Sequence, residues 1–328
     1  MVDFPKNDTF AFIIGGGGMR IAYGVGAAEA IIHKLKFTNP DILMGCSGGE
    51  LAAKFWASGK HEIFKNAYKN DHYSTKKLLD TRRFGNILNI DHLTGNILTN
   101  LDRLDTEAVN NSPIDVYTPV VEKYGGVRYF SNREGFEVLD IMRASMSVPL
   151  LTGLNPWVPI DGKMYCDSAF TADPTNHLEK AVELGATKIL IIGQGDKENG
   201  EQSNMEKVGK AMYKTWHKRW GNGQTQEMKD AVTRAETYRV PDYVEVFTLQ
   251  PEDLDINFAD NNQESLAGAK AQGFRETDAN EALRRFLIIP NPHTKVQLAI
   301  SNSDKIDRWD QEIHRHIPRD SNRLEYVR

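Results

Sequence analysis

Residues 10–18 read FAFIIGGGG, an apolar run that stops at four consecutive glycines. A short, continuously apolar run is typical of a parallel strand, because helices cover both faces of a parallel sheet. Apolar residues recur at helical spacing over 21–35, a second apolar stretch covers 41–45, and another helix begins at Glu50. The order strand, glycine loop, helix, strand, tight turn, helix predicts an α/β fold with a central, mostly parallel sheet flanked by helices.

The rest of the chain is expected to extend this sheet after an insertion. Residues 60–140 are rich in Asn, Asp, Lys and Arg, and we expect mixed helices and loops there, which form a cap over the end of the sheet. Further strands are predicted at 163–167, 188–192 and 244–249, and further helices at 177–184 and 279–286. We therefore expect one α/β domain over 8–250 and a C-terminal helical extension, 251–328, packed on it.

The composition narrows the class of protein. The 328 residues carry a net charge of −5 and include 2 cysteines. The acidic balance argues against a nucleic-acid partner, and two cysteines are too few for a disulfide framework or a Cys-rich zinc site. The amino-terminal residues lack the pattern of a secretory signal, and the longest apolar runs are too short to span a bilayer. We expect a cytoplasmic protein.

Residues 45–49, GCSGG, fit the pattern G-x-S-x-G between a predicted strand and a predicted helix. Gly45 and Gly49 allow the sharp turn that lifts the Ser47 hydroxyl out of the sheet. The amino terminus of the following helix directs its N–H groups and its dipole to the same place. The pattern favours Ser47 as a nucleophile, and an ordinary turn between strand and helix is the other interpretation.

The four glycines at 15–18 stand between a strand and a helix, which leaves backbone N–H groups uncovered. Such a loop is suited to bind an oxyanion or a phosphate. The dinucleotide pattern G-x-G-x-x-G does not fit, because Arg20 or Ile21 occupies the position of its last glycine. No P-loop pattern occurs either. The other interpretation is a tight turn that requires small residues.

A serine nucleophile needs a base, and the nine histidines do not identify one. None of them is placed at the end of a predicted strand in a way that marks it as a triad member. His314 and His316 lack the Cys or acidic neighbours of a metal site. We expect no metal and no cofactor.

Four segments of the chain resemble, in the same order, the motifs of the patatin-like phospholipase family, and of its bacterial branch most closely. The segments are GGGGMR at 15–20, GCSGG at 45–49, RASMSVP at 143–149 and DSA at 167–169. They are similar, respectively, to the family's G-G-G-x-R oxyanion loop, its nucleophile elbow, its A-S-x-x-x-P segment and its D-G-[GA] motif. The resemblance runs from residue 10 to about 193 and more loosely through 244–275.

The resemblance implies a three-layer α/β hydrolase fold and a catalytic dyad without histidine. Ser47 is then the nucleophile, and Asp167 is the base that takes its proton. The oxyanion hole falls to the backbone N–H groups of Gly16, Gly17, Gly18 and Gly48, with Gly45, Gly49 and Arg20 supporting the motifs. The implied reaction is hydrolysis of a phospholipid or lysophospholipid ester through an acyl-enzyme on Ser47.

Two positions depart from the family pattern. Ser168 replaces the glycine of D-G-[GA], and Ile21 replaces the glycine that usually follows the arginine. If the position after Asp167 requires a positive φ, Ser168 is strained there. The departures keep open a catalytically inactive patatin-like protein that binds lipid or acts as a scaffold. An α/β-hydrolase with a Ser–Asp–His triad is a further alternative, with His293 as its candidate histidine.

Two apolar features each have a functional and a structural interpretation. Residues 204–220 predict an amphipathic helix with Met and Trp on one side and Lys on the other, which either makes peripheral contact with a membrane or packs on the core. Apolar residues that flank Asp167 in the sequence either line an acyl channel or belong to the core. These are Leu150, Leu151, Leu154, Trp157 and Phe170.

The two cysteines stand beside the candidate dyad. Cys46 directly precedes Ser47, and Cys166 directly precedes Asp167. We expect two buried, reduced thiols that lie near each other and act as small apolar side chains.

Overall fold

An eight-stranded sheet forms the centre of the part of the chain described by the computed structural model, which is residues 7–83, 85–195 and 225–293. The strands are β1 Phe10–Ile14, β2 Ile42–Gly45, β3 Asp115–Glu122, β4 Val127–Ser131, β5 Val158–Ile160, β6 Lys163–Cys166, β7 Lys188–Ile192 and β8 Glu245–Leu249. Their spatial order is β5-β6-β3-β2-β1-β7-β8, and β4 pairs with β3.

Helices connect most of the strands and follow the last of them, whereas short turns join β3 to β4 and β5 to β6. They are α1 Ile21–His33, α2 Gly49–Ala57, α3 Glu62–Asn66, α4 Ile90–His92, α5 Thr106–Asn110, α6 Val138–Ser145, α7 Ala169–Ala172, α8 Leu178–Glu183, α9 Gln226–Thr237, α10 Gln263–Asp278 and α11 Glu281–Ile288. A π-helix over Leu93–Leu101 continues α4, and 3-10 turns cover Gly18–Arg20 and Pro174–His177. Within the described ranges, no helix combines the length and apolar character that a bilayer span requires.

The sheet is mostly parallel, as predicted. Strands β1, β2, β3, β7 and β8 pair in parallel with one another, and β4, β5 and β6 are added in antiparallel orientation. The carboxyl ends of parallel strands meet at one edge of a sheet. The glycine loop after β1 and the turn after β2 therefore lie side by side, and the Cys46 N–H donates to the Ile14 carbonyl at 2.9 Å.

Helices cover both faces of this sheet. On β1, Phe12 and Ile14 pack into the core that includes α1 and α2, whereas Ala11 and Ile13 pack into the core that includes α8. Successive side chains of a strand point to opposite faces, so a strand covered on both faces is apolar throughout. This confirms the predicted α/β class and its three layers.

The expectation of mixed helices and loops over 60–140 is wrong for its last third. Strands β3 and β4 lie there, and β3 is an interior strand of the sheet, between β2 and β6. Its sequence DVYTPVVE does not predict an interior strand, because Pro119 has no N–H to donate to a neighbouring strand and proline is usually confined to edge strands. Helices and loops do occupy residues 60–83 and 85–110.

The chain after β8 returns to pack on the first helix. Helices α10 and α11 lie in the segment expected to be helical, and α10 crosses α1 at two glycines. A Cβ on Gly26 would lie 1.9 Å from the Lys270 carbonyl oxygen, and one on Gly273 would lie 2.1 Å from that of Tyr23. The division into a domain and an extension at residue 250 stays a proposal. The predicted helix at 204–220 and the end of the chain from 294 lie outside the described residues.

Candidate active site

Ser47 occupies a sharp turn between β2, which ends at Gly45, and α2, which begins at Gly49. Its backbone adopts a φ of 50°, a conformation that costs energy for a residue with a side chain. The turn is held by the Ser47 N–H, which donates to the Ser145 hydroxyl at 3.2 Å. A Cβ on Gly49 would lie 2.3 Å from the Ile14 carbonyl oxygen, so the motif glycine is required by close approach of β1.

Asp167 follows β6 and is held by backbone and side-chain hydrogen bonds. Its N–H donates to the Ser147 carbonyl at 3.0 Å. Its Oδ1 accepts from the Ser168 N–H at 2.7 Å and from the Thr171 hydroxyl at 2.9 Å. Within the described part of the chain, Oδ2 has no hydrogen-bond partner of ordinary geometry. Oδ1 is thus held by two hydrogen bonds, and Oδ2 is buried without one among the described residues.

The environment of Asp167 suits it to accept a proton near neutral pH. Burial raises its pKa to about 7, because the ionised carboxylate loses its hydration, and the nearby Ser47 side chain, Thr171 and Ser168 lower it. Asp167 as a whole is 1% exposed. A general base is most effective when its pKa lies near the working pH.

Ser168 has a role of its own after Asp167. Its φ is −147°, which is extended backbone, so no positive φ is required there. Ser168 caps α7: its hydroxyl accepts from the Thr171 N–H, and its N–H donates to the Thr171 hydroxyl. The predicted strain does not arise. Ile21 begins the right-handed helix α1, where glycine is not needed.

The glycine loop presents two unpaired donors beside Ser47. Among the residues that the structure describes, the N–H groups of Gly17 and Gly18 make no hydrogen bond, and neither does that of Gly48. The Gly16 N–H instead donates to the Ala172 carbonyl at 2.8 Å, so its predicted role as an oxyanion donor is wrong in this structure. Position 16 requires a glycine because of close packing: a Cβ there would lie 2.8 Å from Cβ of Ser47.

A segment far along the chain braces this loop. The Met19 N–H donates to the Phe258 carbonyl at 2.9 Å, and Nε of Arg20 donates to the Ile256 carbonyl at 3.1 Å. The motif arginine therefore helps to hold the glycine loop against this segment. Nothing in the sequence around 256–258 indicates this role.

A cavity of about 430 Å³ opens beside the two residues. Ser47 and Asp167 lie in its wall, and the rest of the wall is almost entirely apolar. Much of it comes from the predicted cap: Tyr68, Tyr73, Leu78, Leu79, Leu88 and Leu93.

Most of the residues predicted to line an acyl channel do not line this cavity. Leu151 lines the cavity, but Leu150, Leu154, Trp157 and Phe170 do not. Leu150 has a φ of 68°, and Leu154 beyond it is 63% exposed. Leu151, directly after this turn, still lines the cavity, and a run of apolar residues does not show which of its members face a cavity.

No histidine within the described residues completes a triad. Both ring nitrogens of His177 are engaged, Nδ1 with the Tyr129 hydroxyl at 2.8 Å and Nε2 with the Thr171 carbonyl at 3.1 Å, and burial lowers its pKa to about 4. His293 donates its N–H to Asn291, whose amide donates to the Thr187 carbonyl just before β7. His293 therefore lies at the amino-terminal edge of the sheet, opposite Ser47.

A buried ion pair in α2 lies close to Asp167. Nζ of Lys54 is 3.2 Å from Oε2 of Glu50 and donates to the Thr118 hydroxyl at 2.7 Å. Burial raises the pKa of Glu50 and Lys54 lowers it, and the Glu50 charge in turn raises the pKa of Asp167. The i, i+4 spacing of Glu50 and Lys54 was visible in the sequence, but their burial was not.

Comparison with known proteins places the chain in a family. The patatin-like phospholipase model matches residues 12–178, just over half of the 328 residues. The chain is similar to VipD from Legionella pneumophila, at 10% identity and a TM-score of 0.48, over 84% of this chain and 68% of VipD. It is also similar to the type III effector protein ExoU, at 11% identity and a TM-score of 0.39, over 95% of this chain and 63% of ExoU.

The chain thus spans about two thirds of the length of these two proteins. No curated protein matches its sequence. The family assignment rests on the match over residues 12–178, which contains the turn at Ser47, the glycine loop and Asp167. The chain belongs to the patatin-like phospholipase family, a family of hydrolases.

Proposed function

We propose that the chain hydrolyses a carboxylic ester of a phospholipid or lysophospholipid through an acyl-enzyme on Ser47. One observation carries the proposal: a serine on a strained turn and a buried aspartate with one unpaired oxygen line the same apolar cavity. An apolar cavity with few polar groups suits an acyl chain, whose ester carbonyl then lies at the polar end.

The first half of the reaction transfers the acyl group to the protein. Oγ of Ser47 bonds to the ester carbonyl carbon as its proton passes to Asp167, and the carbonyl electron pair moves to the oxygen. The N–H groups of Gly17, Gly18 and Gly48 bind that oxyanion. The C–O bond to the alcohol then breaks, and the alcohol leaves with the proton from Asp167.

The second half regenerates the serine. Water attacks the acyl carbon as Asp167 takes its proton, the bond to Oγ of Ser47 breaks, and the proton returns to Oγ. The fatty acid leaves. Each step is balanced by these groups and water, so the reaction requires no cofactor.

The substrate also bears on where the chain acts. Phospholipids are presented at the surface of membranes or micelles, so we propose peripheral contact of the chain with such a surface. The two reduced thiols fit a cytoplasmic location, which we propose with it.

The decisive experiment separates an enzyme from an inactive lipid-binding protein or scaffold. An alkyl fluorophosphonate forms a bond from phosphorus to Oγ of Ser47 with loss of fluoride. We expect intact mass to show one adduct on the wild type, none on Ser47→Ala, and strongly slowed formation on Asp167→Asn. The absence of an adduct on the wild type would favour the inactive protein.

A lipid panel with products identified by mass then defines the substrate, with Ser47→Ala as the blank.

The Ser–Asp–His alternative is tested separately. Full activity of His293→Ala, which the position of His293 leads us to expect, would exclude it.

A further inference from the structure

Tyr68 forms part of the wall of three separate cavities. The first is the cavity that contains Ser47 and Asp167. The second is a small pocket of about 20 Å³ that also borders α1, α2 and α3. The third is a groove of about 350 Å³ between α1 and α10, lined by Lys69, Lys270 and Arg275. Tyr68 is the one residue common to the three walls.

The ring of Tyr68 is held in place. Its side chain is 3% exposed, and its ring centroid lies 5.6 Å from that of Tyr73 in an edge-to-face arrangement. Tyr73 is itself buried, and burial together with the nearby Asp102 carboxylate raises its pKa. The backbone of Tyr68 adopts a φ of 63°, which is unfavourable for an aromatic residue and is tolerated where the surroundings determine it.

We propose that Tyr68 is the end wall of the acyl cavity and sets the longest acyl chain that the site accepts. The inference rests on the proposed ester hydrolysis at Ser47 and adds a specificity-determining residue to it. Tyr68 belongs to the wall of the cavity that contains Ser47 and to the wall of the groove between α1 and α10, so in this proposal its ring separates the two.

The neighbouring tyrosine provides a matched control. Tyr73 lines the first and second cavities but not the groove. A shorter side chain at position 73, as in Tyr73→Leu, should join only the small second pocket to the acyl cavity. Shortening Tyr68 also opens the acyl cavity to the groove, through which the end of a long chain reaches the protein surface.

The test uses a series of alkyl fluorophosphonates of increasing chain length, with the rate of adduct formation on Ser47 followed by intact mass. We expect the wild-type rate to rise with chain length and then to fall beyond a limit. Tyr68→Leu should react about tenfold faster than the wild type with probes beyond that limit. Tyr68→Phe, which keeps the ring, should retain the wild-type limit, and Tyr73→Leu should move it only slightly.

The short probes separate this inference from the proposed function. If no probe reacts with the wild type, the ester-hydrolase proposal fails. If Tyr68→Leu reacts normally with short probes, and so is folded, yet keeps the wild-type limit, the assignment of Tyr68 is wrong. A Tyr73→Leu effect as large as that of Tyr68→Leu would also overturn it, because the groove would then play no part.

Discussion

At the scale of single residues, Thr171 tunes the proposed base. Its hydroxyl donates to Oδ1 of Asp167 and so stabilises the ionised carboxylate. In Thr171→Val this hydrogen bond is lost, and the pKa of Asp167 rises further above about 7. A hydrogen bond to a charged group is worth about 1.5 kcal/mol, which corresponds to about one pH unit.

The measurement is the pH dependence of kcat/KM. Because Asp167 must be ionised to accept a proton, kcat/KM should rise with pH through about 7 in the wild type. The rise should occur about one unit higher in Thr171→Val. An unchanged midpoint with only a lower plateau would mean that Thr171 acts through packing alone.

The same carboxyl group links stability to pH. The pKa of Asp167 is raised from 3.8 to about 7 in the folded chain, so the folded state binds more protons than the unfolded state between these values. Its contribution to stability is therefore present below 3.8 and falls as pH rises through about 7. In Asp167→Asn this loss disappears, because the amide does not ionise.

We expect the free energy of unfolding of Asp167→Asn, relative to the wild type, to increase by up to about 4 kcal/mol across that pH interval. Urea unfolding below and above the interval measures it. A difference that does not change with pH would contradict the raised pKa. Ser47→Ala serves as the control, since it removes a neighbour of Asp167 but leaves the carboxyl group.

At the scale of elements, the crossing of α1 and α10 depends on two helix backbones in contact. A Cβ on Gly26 would meet the Lys270 carbonyl oxygen, which belongs to a rigid backbone. We expect Gly26→Ala to lower the free energy of unfolding by about 3 kcal/mol, because the helices must separate.

Gly268 is the matched control for this prediction. It lies in α10, and a Cβ there would meet nothing within 4 Å. Gly268→Ala should stabilise the protein by about 0.5–1 kcal/mol through helix propensity alone. Thermal and urea unfolding compare the two variants, and equal effects would mean that the close crossing is not what limits stability.

Individual elements differ in how well their local sequence predicted them. Strands β1 and β7 have the predicted bounds, because each is buried on both faces and flanked by glycine or polar residues. Strand β3 was missed, since its burial comes from β2 and β6 and not from an apolar run of its own. A strand that depends on non-local partners leaves a weaker local pattern.

At the scale of the whole molecule, the reactivity of the two thiols reports global unfolding. Cys46 and Cys166 are both buried, as predicted, and burial raises the pKa of each well above its ordinary value. The thiolate is the reactive form. Burial therefore slows the reaction of both thiols in two ways, because it keeps the reagent out and because it disfavours the thiolate.

We expect a thiol reagent to modify neither cysteine in the native protein, and both together once urea unfolds the chain. The rate should follow the unfolding curve measured by circular dichroism. Rapid modification of one cysteine in the absence of urea would show a local opening next to Ser47 or Asp167.

The sequence by itself determined the α/β class, the turn at Ser47 and the glycine loop, because each is encoded in contiguous residues with local conformational requirements. The family resemblance added Asp167, which no local pattern distinguishes from other aspartates. Tertiary structure decided the rest. Three features depend on residues distant in the chain: the burial of Asp167 Oδ2 without a hydrogen-bond partner among the described residues, the hydrogen bond from the Gly16 N–H to Ala172, and the apolar cavity that Tyr68 helps to line. Hydrogen-bond partners and burial arise only when such segments pack together. They determine the pKa of Asp167 and the shape of the cavity beside Ser47.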